Sequence, residues 1–491
     1  MRINDLRRLV GLALIVASPL WTGGCRNQPE GAIKVTLIGG DPKLRDPASD
    51  PLSPSDSILV SSVAQGLVRF DAGGNIVGGL AERWNVSDDG LSYIFRLAAR
   101  EWPDGSKMTA RQVARILKRN LATRSNNSLK DALGGVEDIV AMTDRVIEIR
   151  LIAPRPNLLQ LLAQPEMAVA RDALGTGPFI ASPAERGVLR LRREIVSADD
   201  EVTTEEEVLL SGATAQAAVQ GFGAGKTDLV LGGTFADLPY ARRAKLPRNS
   251  IRFDPASGLF GLIPARKDGL LAEPDVRRLL SQAIDRDALV RALNVPGLAS
   301  RATILEPGLE GIAAVTQPAW PATPLAERQP ALAAEARKLF GAEEKPVLRV
   351  QLPAGPGADQ LLFRLMLDWG ALGFTVERAS TLGAADLVLV DAVAPSNSPA
   401  WFVRRFRCEI APICDPEADD LMASARKAPV PAQRSALLLQ AAGRLEDAYL
   451  FIPLAAPVRW SLVGPRIEGF AGNRYARHTL TDLEQRLSPG G

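Results

Sequence analysis

The chain has 491 residues, of which 58 are Lys or Arg, 56 are Asp or Glu and one is His. This balance, without a dense run of Lys and Arg, excludes the electrostatic footprint of a nucleic-acid-binding protein. The single His478 leaves no two-histidine metal motif and no histidine-based catalytic triad, so we expect no metal, no cofactor and no enzyme activity. The length exceeds the about 250–300 residues at which single cores stop growing, so two or more lobes are expected.

The first 25 residues indicate the compartment. Arg2, Arg7 and Arg8 precede an apolar run over residues 9–20, which is shorter than the about 20 residues that span a bilayer. This pattern predicts a secretory signal peptide over residues 1–24 rather than an N-terminal core helix or a transmembrane anchor. Removing the segment would bring the net charge from +2 to about zero.

Cys25 directly follows Gly23-Gly24 and is similar to the lipobox cysteine of bacterial lipoproteins, which is lipidated and becomes the mature N-terminus. Thr22 stands where the lipobox usually has Leu. We therefore expect a lipid anchor on Cys25. Several acyl chains would hold the protein firmly, because each buried CH₂ contributes about 0.8 kcal/mol to membrane binding. Ordinary signal cleavage with Cys25 left as a free thiol is the alternative.

Short strands then alternate with helices. Alternating apolar residues predict strands near residues 91–97 and 147–151, and Thr109 with Gln112 forms a capping box for a helix between them. Further apolar stripes predict helices from Asp275 and over residues 361–372, the second ending at Gly373 before a strand. A Pro/Ala-rich stretch, residues 317–330, is most simply a surface connection. The alternation favours α/β lobes with mixed sheets.

The stretch Gly221-Phe222-Gly223-Ala224-Gly225-Lys226-Thr227 imitates a phosphate-binding P-loop. Counted from Gly221 it is one residue short, and the preceding residues are typical of a helix, whereas a P-loop follows a strand. We interpret it as a helix-to-strand turn.

Cys408 and Cys414 are the other two cysteines. In an exported protein, a pair five residues apart favours a local disulfide over a metal site. Its loop is short, so its contribution should lie below the about 3 kcal/mol of a 15-residue loop.

A series of motifs in a fixed order resembles the extracellular solute-binding proteins of family 5, the oligopeptide-, dipeptide- and nickel-binding group of ABC transporters. The resemblance covers about residues 33–485, and no single motif is decisive. It includes Trp102-Pro103-Asp104-Gly105, Gly175-Thr176-Gly177-Pro178-Phe179 and the stretches 65–71, 75–77, 80–84, 86–93, 109–110, 225–228, 275–286, 372–376, 414–417 and 451–454.

The resemblance implies an α/β, two-lobed periplasmic-binding-protein fold of the large class C type, with mixed sheets and an extra subdomain in the first lobe. The implied division is a discontinuous lobe I over residues 25–52, 172–257 and 455–491, a subdomain over residues 53–171, and lobe II over residues 258–454. A ligand would lie between the lobes, and hinge closure would bury it.

The resemblance also implies a site. Peptide-binding members place an Asp at the start of a D-Y-x-x-P stretch against the ligand's α-ammonium, and Asp391, with Pro395 four residues on, stands there. Ala392 replaces the Tyr. Trp401 and Arg404 follow and are expected to line the cleft. A capping carboxylate is the alternative role for Asp391, and a surface position is the alternative for Arg404. Some dipeptide-binding relatives carry a disulfide at the place of Cys408 and Cys414.

The predicted function is that of a monomeric, lipid-anchored receptor in the periplasm or on the outer face of a bacterial membrane. It would bind peptides or a similar polar organic solute and pass it to ABC transporter permease subunits. The alternative is an envelope lipoprotein that kept the fold but acts as a sensor or interaction protein. Nickel is disfavoured because the only histidine is remote in sequence from the expected site.

Overall fold

A computed structural model of the chain describes residues 31–171, 174–185, 187–196, 203–341 and 345–485. The predicted signal peptide, residues 1–24, and the predicted lipidation site Cys25 lie outside the described residues. Within the described ranges, no helix is both long and apolar enough to cross a membrane.

The described residues form 22 β-strands. In chain order they are β1 Ile33–Ile38, β2 Val68–Phe70, β3 Ile76–Gly78, β4 Ala81–Val86, β5 Ser92–Leu97, β6 Val136–Thr143, β7 Val146–Leu151, β8 Ala170–Arg171, β9 Leu174–Gly175, β10 Ile180–Pro183, β11 Leu189–Val196, β12 Thr203–Ala213, β13 Leu229–Thr234, β14 Ile251–Phe253, β15 Gly258–Pro264, β16 Val347–Gln351, β17 Thr375–Arg378, β18 Leu387–Val393, β19 Ile452–Ala455, β20 Arg459–Val463, β21 Ile467–Glu468 and β22 Glu484–Gln485.

The same residues form twelve α-helices, joined by shorter 3₁₀ turns. In chain order they are α1 Pro54–Val63, α2 Ala110–Leu121, α3 Leu158–Leu162, α4 Ala215–Gly223, α5 Leu238–Arg243, α6 Pro274–Ala283, α7 Arg286–Leu293, α8 Leu325–Phe340, α9 Pro356–Gly370, α10 Pro399–Val403, α11 Pro416–Lys427 and α12 Pro431–Asp447.

Three sheets organise these elements. A seven-stranded mixed sheet has the order β10-β11-β12-β1-β13-β20-β14, and a five-stranded mixed sheet has the order β17-β16-β18-β15-β19. A four-stranded antiparallel sheet, β4-β5-β7-β6, lies in the segment between β1 and β10. Late strands complete early sheets, because β20 pairs with β13 and β14, and β19 pairs with β15.

Local sequence signals place several elements as predicted. The alternating apolar residues form β5 and β7, whose Phe95, Ile147 and Ile149 are fully buried. The capping box of Thr109 and Gln112 is present at the start of α2, where it satisfies N–H groups that the first helical turn leaves free. The Gln112 side chain also accepts a hydrogen bond from the indole Nε1 of Trp102 at 3.2 Å.

The imitation of a P-loop is the end of α4 and the turn that leads into β13, with Gly225 at φ +68°. The prediction for residues 317–330 is wrong in its second half. Helix α8 already begins at Leu325 and contains Pro330 in its second turn. Leu332 and Ala336 are buried in the core along this helix, and this packing outweighs the hydrogen bond that a proline cannot donate.

The apolar core is divided among several clusters. The four-stranded sheet and α2 share one cluster. Another lies over the five-stranded sheet under α10, α11 and α12. The largest includes residues of both mixed sheets, and Phe235 and Phe260 meet there edge to face at 4.8 Å between ring centroids. The two mixed sheets are therefore connected by packed apolar side chains. The chain also passes between them twice, from β14 to β15 and from β19 to β20.

Candidate functional site

Two cavities lie on either side of one segment, residues 391–398, which is the end of β18 and the loop that follows it. The first cavity has a volume of about 430 Å³ and is lined by α1, the end of β18, the start of β20 and residues 475–479. The second cavity has a volume of about 300 Å³ and lies between residues 130–157 and the α10–α12 region. Both volumes fall in the range of small-molecule sites, about 300–1,000 Å³.

Asp391 lies in the first cavity and is its only lining carboxylate among the described residues. Its side chain is 15% exposed, and its Oδ1 accepts a hydrogen bond from Arg459 Nη1 at 2.8 Å. Burial raises the pKa of Asp391, and the guanidinium of Arg459 partly offsets this rise. In the described residues no main-chain N–H donates to the Asp391 carboxylate, so the structure does not give it the alternative role of a capping group.

Arg459 was not found by sequence reasoning. It opens β20 in the seven-stranded sheet, whereas Asp391 belongs to β18 in the five-stranded sheet, so the ion pair joins the two sheets. Its Nη2 also donates to the main-chain oxygen of Asp391 at 3.1 Å. The available signal was a cation at the start of a strand whose next residues, Trp460 to Leu462, are all buried.

The opposite wall of the first cavity carries two more polar side chains. Arg477 donates from Nε to Gln164 Oε1 at 2.9 Å and from Nη2 to Glu166 Oε1 at 3.0 Å. His478 lies against Asp254, with 3.1 Å between Nε2 and Oδ2. His478 is remote from Asp391 in sequence and was therefore expected to lie away from it. In the structure both residues line the first cavity.

Trp401 and Arg404 line the second cavity and not the first. Helix α10 carries Trp401, and a 3₁₀ turn, Arg404–Phe406, directly follows it. Both side chains are half-buried, and Arg404 Nη1 is fully enclosed without an acceptor in the described residues. The three residues predicted to share one site thus occupy two cavities.

Side-chain amides of α3 and its flanks separate the two cavities. Asn157 donates to Ser396 Oγ at 3.1 Å, Gln160 accepts from the Asn397 main-chain N–H at 2.8 Å, and Gln164 donates to the Pro395 main-chain oxygen at 2.7 Å. These bonds hold the 391–398 segment against the part of the chain that carries the four-stranded sheet.

The predicted disulfide between Cys408 and Cys414 is present, with 5.1 Å between the Cα atoms. It follows Arg407, a residue of the second cavity, and closes the loop between the 3₁₀ turn and α11. Among the described residues, no group of three or more His, Cys, Asp or Glu side chains is arranged to hold a metal ion.

Comparison with known proteins gives a consistent result. Residues 75–377, more than half of the chain, match the profile of the bacterial extracellular solute-binding proteins, family 5. The chain is 26% identical over 483 residues to the probable di/tripeptide-binding protein 5 of Pseudomonas aeruginosa, covering 84% of this chain and 88% of that protein.

Solved structures share the fold. OppA of Haemophilus influenzae in complex with RPPGFSPFR gives a TM-score of 0.80 at 17% identity, covering 93% of this chain and 100% of that one. The murein tripeptide binding protein MppA of Escherichia coli gives a TM-score of 0.78 at 18% identity, covering 92% and 98%. The predicted α/β periplasmic-binding-protein fold with mixed sheets is thereby confirmed.

The family consists of extracytoplasmic binding proteins and not of enzymes, which agrees with the absence of catalytic motifs from the sequence. The match over more than half of the chain confirms the resemblance seen in the ordered motifs: the chain belongs to family 5 of the bacterial extracellular solute-binding proteins.

Proposed function

We propose that this chain is the receptor of an ABC transporter and binds short peptides, or a similar polar organic solute with a free amino group, in the first cavity. The observation that carries the proposal is the state of the Asp391 carboxylate. Oδ1 is held by Arg459, while no described group donates a hydrogen bond to Oδ2. A ligand ammonium on Oδ2 would complete the coordination of this carboxylate.

Such a contact would contribute more binding free energy than a hydrogen bond between neutral groups. A carboxylate that is mostly removed from water forms short charge-assisted hydrogen bonds, which are about twice as strong as neutral ones. Arg459 holds Oδ1 of Asp391, so a ligand ammonium on Oδ2 would make the carboxylate shared between two cationic donors, one on each oxygen. Arg477 Nη1 bonds to no other described residue and is available on the opposite wall for a ligand carbonyl or carboxylate.

The relatives support peptides as the ligand class. One is described as a probable di/tripeptide-binding protein, and OppA was crystallised with RPPGFSPFR. We propose the same class here because Asp391, the only carboxylate that the described residues contribute to the lining of the first cavity, stands at the position that matches the ammonium-binding Asp of peptide-binding members.

The further features of the predicted receptor are part of the same proposal. The lobes would follow the boundaries given above, with lobe I and its subdomain over residues 25–257 and 455–491, and lobe II over residues 258–454. Hinge motion between them would open and close the first cavity. A lipid on Cys25 would hold the protein, as a monomer, at the outer face of a bacterial membrane, where permease subunits could bind the closed form.

Calorimetric titration tests the peptide site. A mixture of di- and tripeptides is screened by thermal shift, and the best binder is titrated beside its N-acetylated form. We expect acetylation and Asp391→Asn each to weaken binding at least tenfold, which corresponds to about 1.4 kcal/mol. The control is Asp359→Asn, a carboxylate on the exposed face of α9 that pairs with Arg378, and it should bind as the wild type does. Equal affinity of the acetylated and free peptides would remove Asp391 from the site.

A further inference from the structure

The second cavity collects positive charge. Among the described residues, its lining includes a single carboxylate, that of Asp131, together with six cationic residues: Lys130, Arg155, Arg404, Arg407, Arg426 and Arg434. The first cavity differs, because its arginines each pair with a carboxylate: Arg459 with Asp391, Arg477 with Glu166 and Arg69 with Asp482.

Two guanidinium groups that the fold buries at least in part, those of Arg155 and Arg404, have no carboxylate partner in the second cavity among the described residues. Arg155 is 9% exposed and donates only to main-chain oxygens, those of Pro154 at 3.0 Å and Arg426 at 2.7 Å. The Nη1 atom of Arg404 is buried and donates no hydrogen bond to an acceptor in the described residues. A buried charge is unfavourable unless a counter-charge and hydrogen bonds compensate the loss of water.

The pKa shifts agree with this geometry. Burial lowers the pKa of Arg155 to about 10, and repulsion from Arg434 adds to the effect. Burial also lowers the pKa of Arg404; the charge of Asp131 partly offsets this shift, and repulsion from Arg405 and Arg407 adds to it.

The nearby carboxylates are those of Glu310 and Asp131, and in the described residues neither forms an ion pair with Arg155 or Arg404. Glu310 pairs with Arg434 at 3.2 Å, and Arg434 also donates to Ser398 Oγ at 3.2 Å. Asp131 lies 3.6 Å from Arg407. Arg155 and Arg404 therefore lack a paired carboxylate. Arg155 belongs to the predicted subdomain, whereas Arg404 directly follows α10.

One wall of the second cavity is apolar. Trp401 is half-buried and packs edge to face on Phe402, with 5.1 Å between ring centroids. Val403, Met422 and Leu438 complete this wall.

We propose that the second cavity is a separate binding site for a small organic anion, whose carboxylate lies between Arg155 and Arg404 and whose apolar body lies against Trp401. The acid group would supply the counter-charge that these arginines lack, and a planar guanidinium suits a carboxylate because it can donate two parallel hydrogen bonds. Arg434 stays with Glu310 and adds long-range attraction.

The site is independent of the proposed peptide site. The hydrogen bonds of Asn157, Gln160 and Gln164 to residues 395–397 lie between the two cavities, and Asp391 lines only the first. Peptide binding and anion binding can therefore be lost separately by substitution.

Calorimetry and thermal shift on the full chain test the proposal with benzoate, octanoate and indole-3-acetate as probes. The neutral isostere indole-3-acetamide and inorganic phosphate serve as the controls for charge and for the apolar body. We expect at least one carboxylate to raise the melting temperature of the wild type, and its neutral amide to bind at least tenfold more weakly.

Substitutions locate the binding. Arg155→Gln and Arg404→Gln should each weaken the carboxylate at least tenfold, while Asp391→Asn and Arg115→Gln, an exposed residue of α2, should leave it unchanged. Arg404→Lys keeps the charge but not the planar fork, so it should retain part of the affinity and serves if a neutral variant fails to fold. The arginine variants should keep wild-type affinity for the best peptide ligand.

Three results would overturn the proposal. The first is that no probe carboxylate stabilises the protein. The second is a loss of selectivity, in which the amide binds as well as the acid or Arg155→Gln and Arg404→Gln bind the acid as the wild type does. The third is that Arg404→Gln weakens a peptide acid but not its C-terminal amide while free anions do not bind. That pattern would place the carboxylate of the peptide itself in this cavity and rule out a separate site.

Discussion

The two cavities share one loop and differ in how their charges are balanced. In the first, Arg459 and Asp391 come from different sheets and neutralise each other, leaving one carboxylate oxygen for a ligand. In the second, the buried Arg155 and the half-buried Arg404 form no ion pair with a carboxylate of the described residues. The first cavity is thus nearly complete without a ligand, whereas the second has an unbalanced charge that a ligand would correct.

This difference gives opposite expectations for the removal of a cation. Taking one partner from a buried ion pair leaves the other charge without compensation, which is strongly destabilising. Taking away a cation that has no partner removes an unfavourable charge. The sign of the stability change on removal of a cation therefore distinguishes the two cavities. Arg459→Met and Arg404→Met test this sign, and Gln164→Ala, intermediate in its expected effect, tests the separation between the cavities.

Arg459→Met should have the largest effect, a loss of about 3 kcal/mol in the free energy of unfolding at pH 7, because Asp391 stays buried without its partner. The pKa of Asp391 should rise further once the guanidinium is gone. A carboxyl group whose folded-state pKa lies above its unfolded value stabilises the folded state when protonated, and this stability is lost as pH rises through the folded pKa. Urea unfolding at pH 5 and pH 7 should show a smaller loss at pH 5.

The double variant Arg459→Met with Asp391→Leu is the control for that prediction. Because both charges are removed together, its loss should be smaller than the sum of the two single losses. Additive losses would mean that the ion pair contributes nothing specific to the first cavity.

Gln164→Ala should have an intermediate effect of about 2 kcal/mol, since it removes a buried donor to Pro395 and an acceptor for Arg477. It should also weaken the barrier between the cavities, so peptide and anion binding would begin to depend on each other. Unfolding and paired titrations measure both effects. Unchanged stability would contradict the separating role of this amide.

Arg404→Met should have the smallest effect and the opposite tendency. We expect stability in the absence of added anions to stay within about 1 kcal/mol of the wild type or to increase, because a buried charge without a partner is replaced by an apolar side chain of similar length. Thermal unfolding in an anion-free buffer measures it. A loss as large as that of Arg459→Met would show that Arg404 has a stabilising partner within the fold.

Sequence reasoning succeeded where the determinants are local. The capping box of Thr109 and Gln112 and the alternation of β5 and β7 depend on residues a few positions apart, so patterns alone predict them. Pro330 shows the limit of such rules, because the packing of α8 against the core admits a proline that local preferences would place in a loop.

The site depended on contacts that no local pattern contains. Asp391 and Arg459 are 68 positions apart and meet only because the end of β18 and the start of β20 lie at the same cavity. Trp401 and Arg404 follow Asp391 closely in sequence, yet the amides around α3 hold the intervening loop between two cavities. Proximity along the chain therefore suggested one site where the fold makes two.

A crystal structure with a bound tripeptide would show which cavity holds the ligand and where its amino terminus lies. We expect the ligand in the first cavity, with its ammonium nitrogen within hydrogen-bonding distance of Asp391 Oδ2 and with Arg459 still bonded to Oδ1. A tripeptide bound elsewhere, or one whose amino terminus lies away from Asp391, would contradict this expectation.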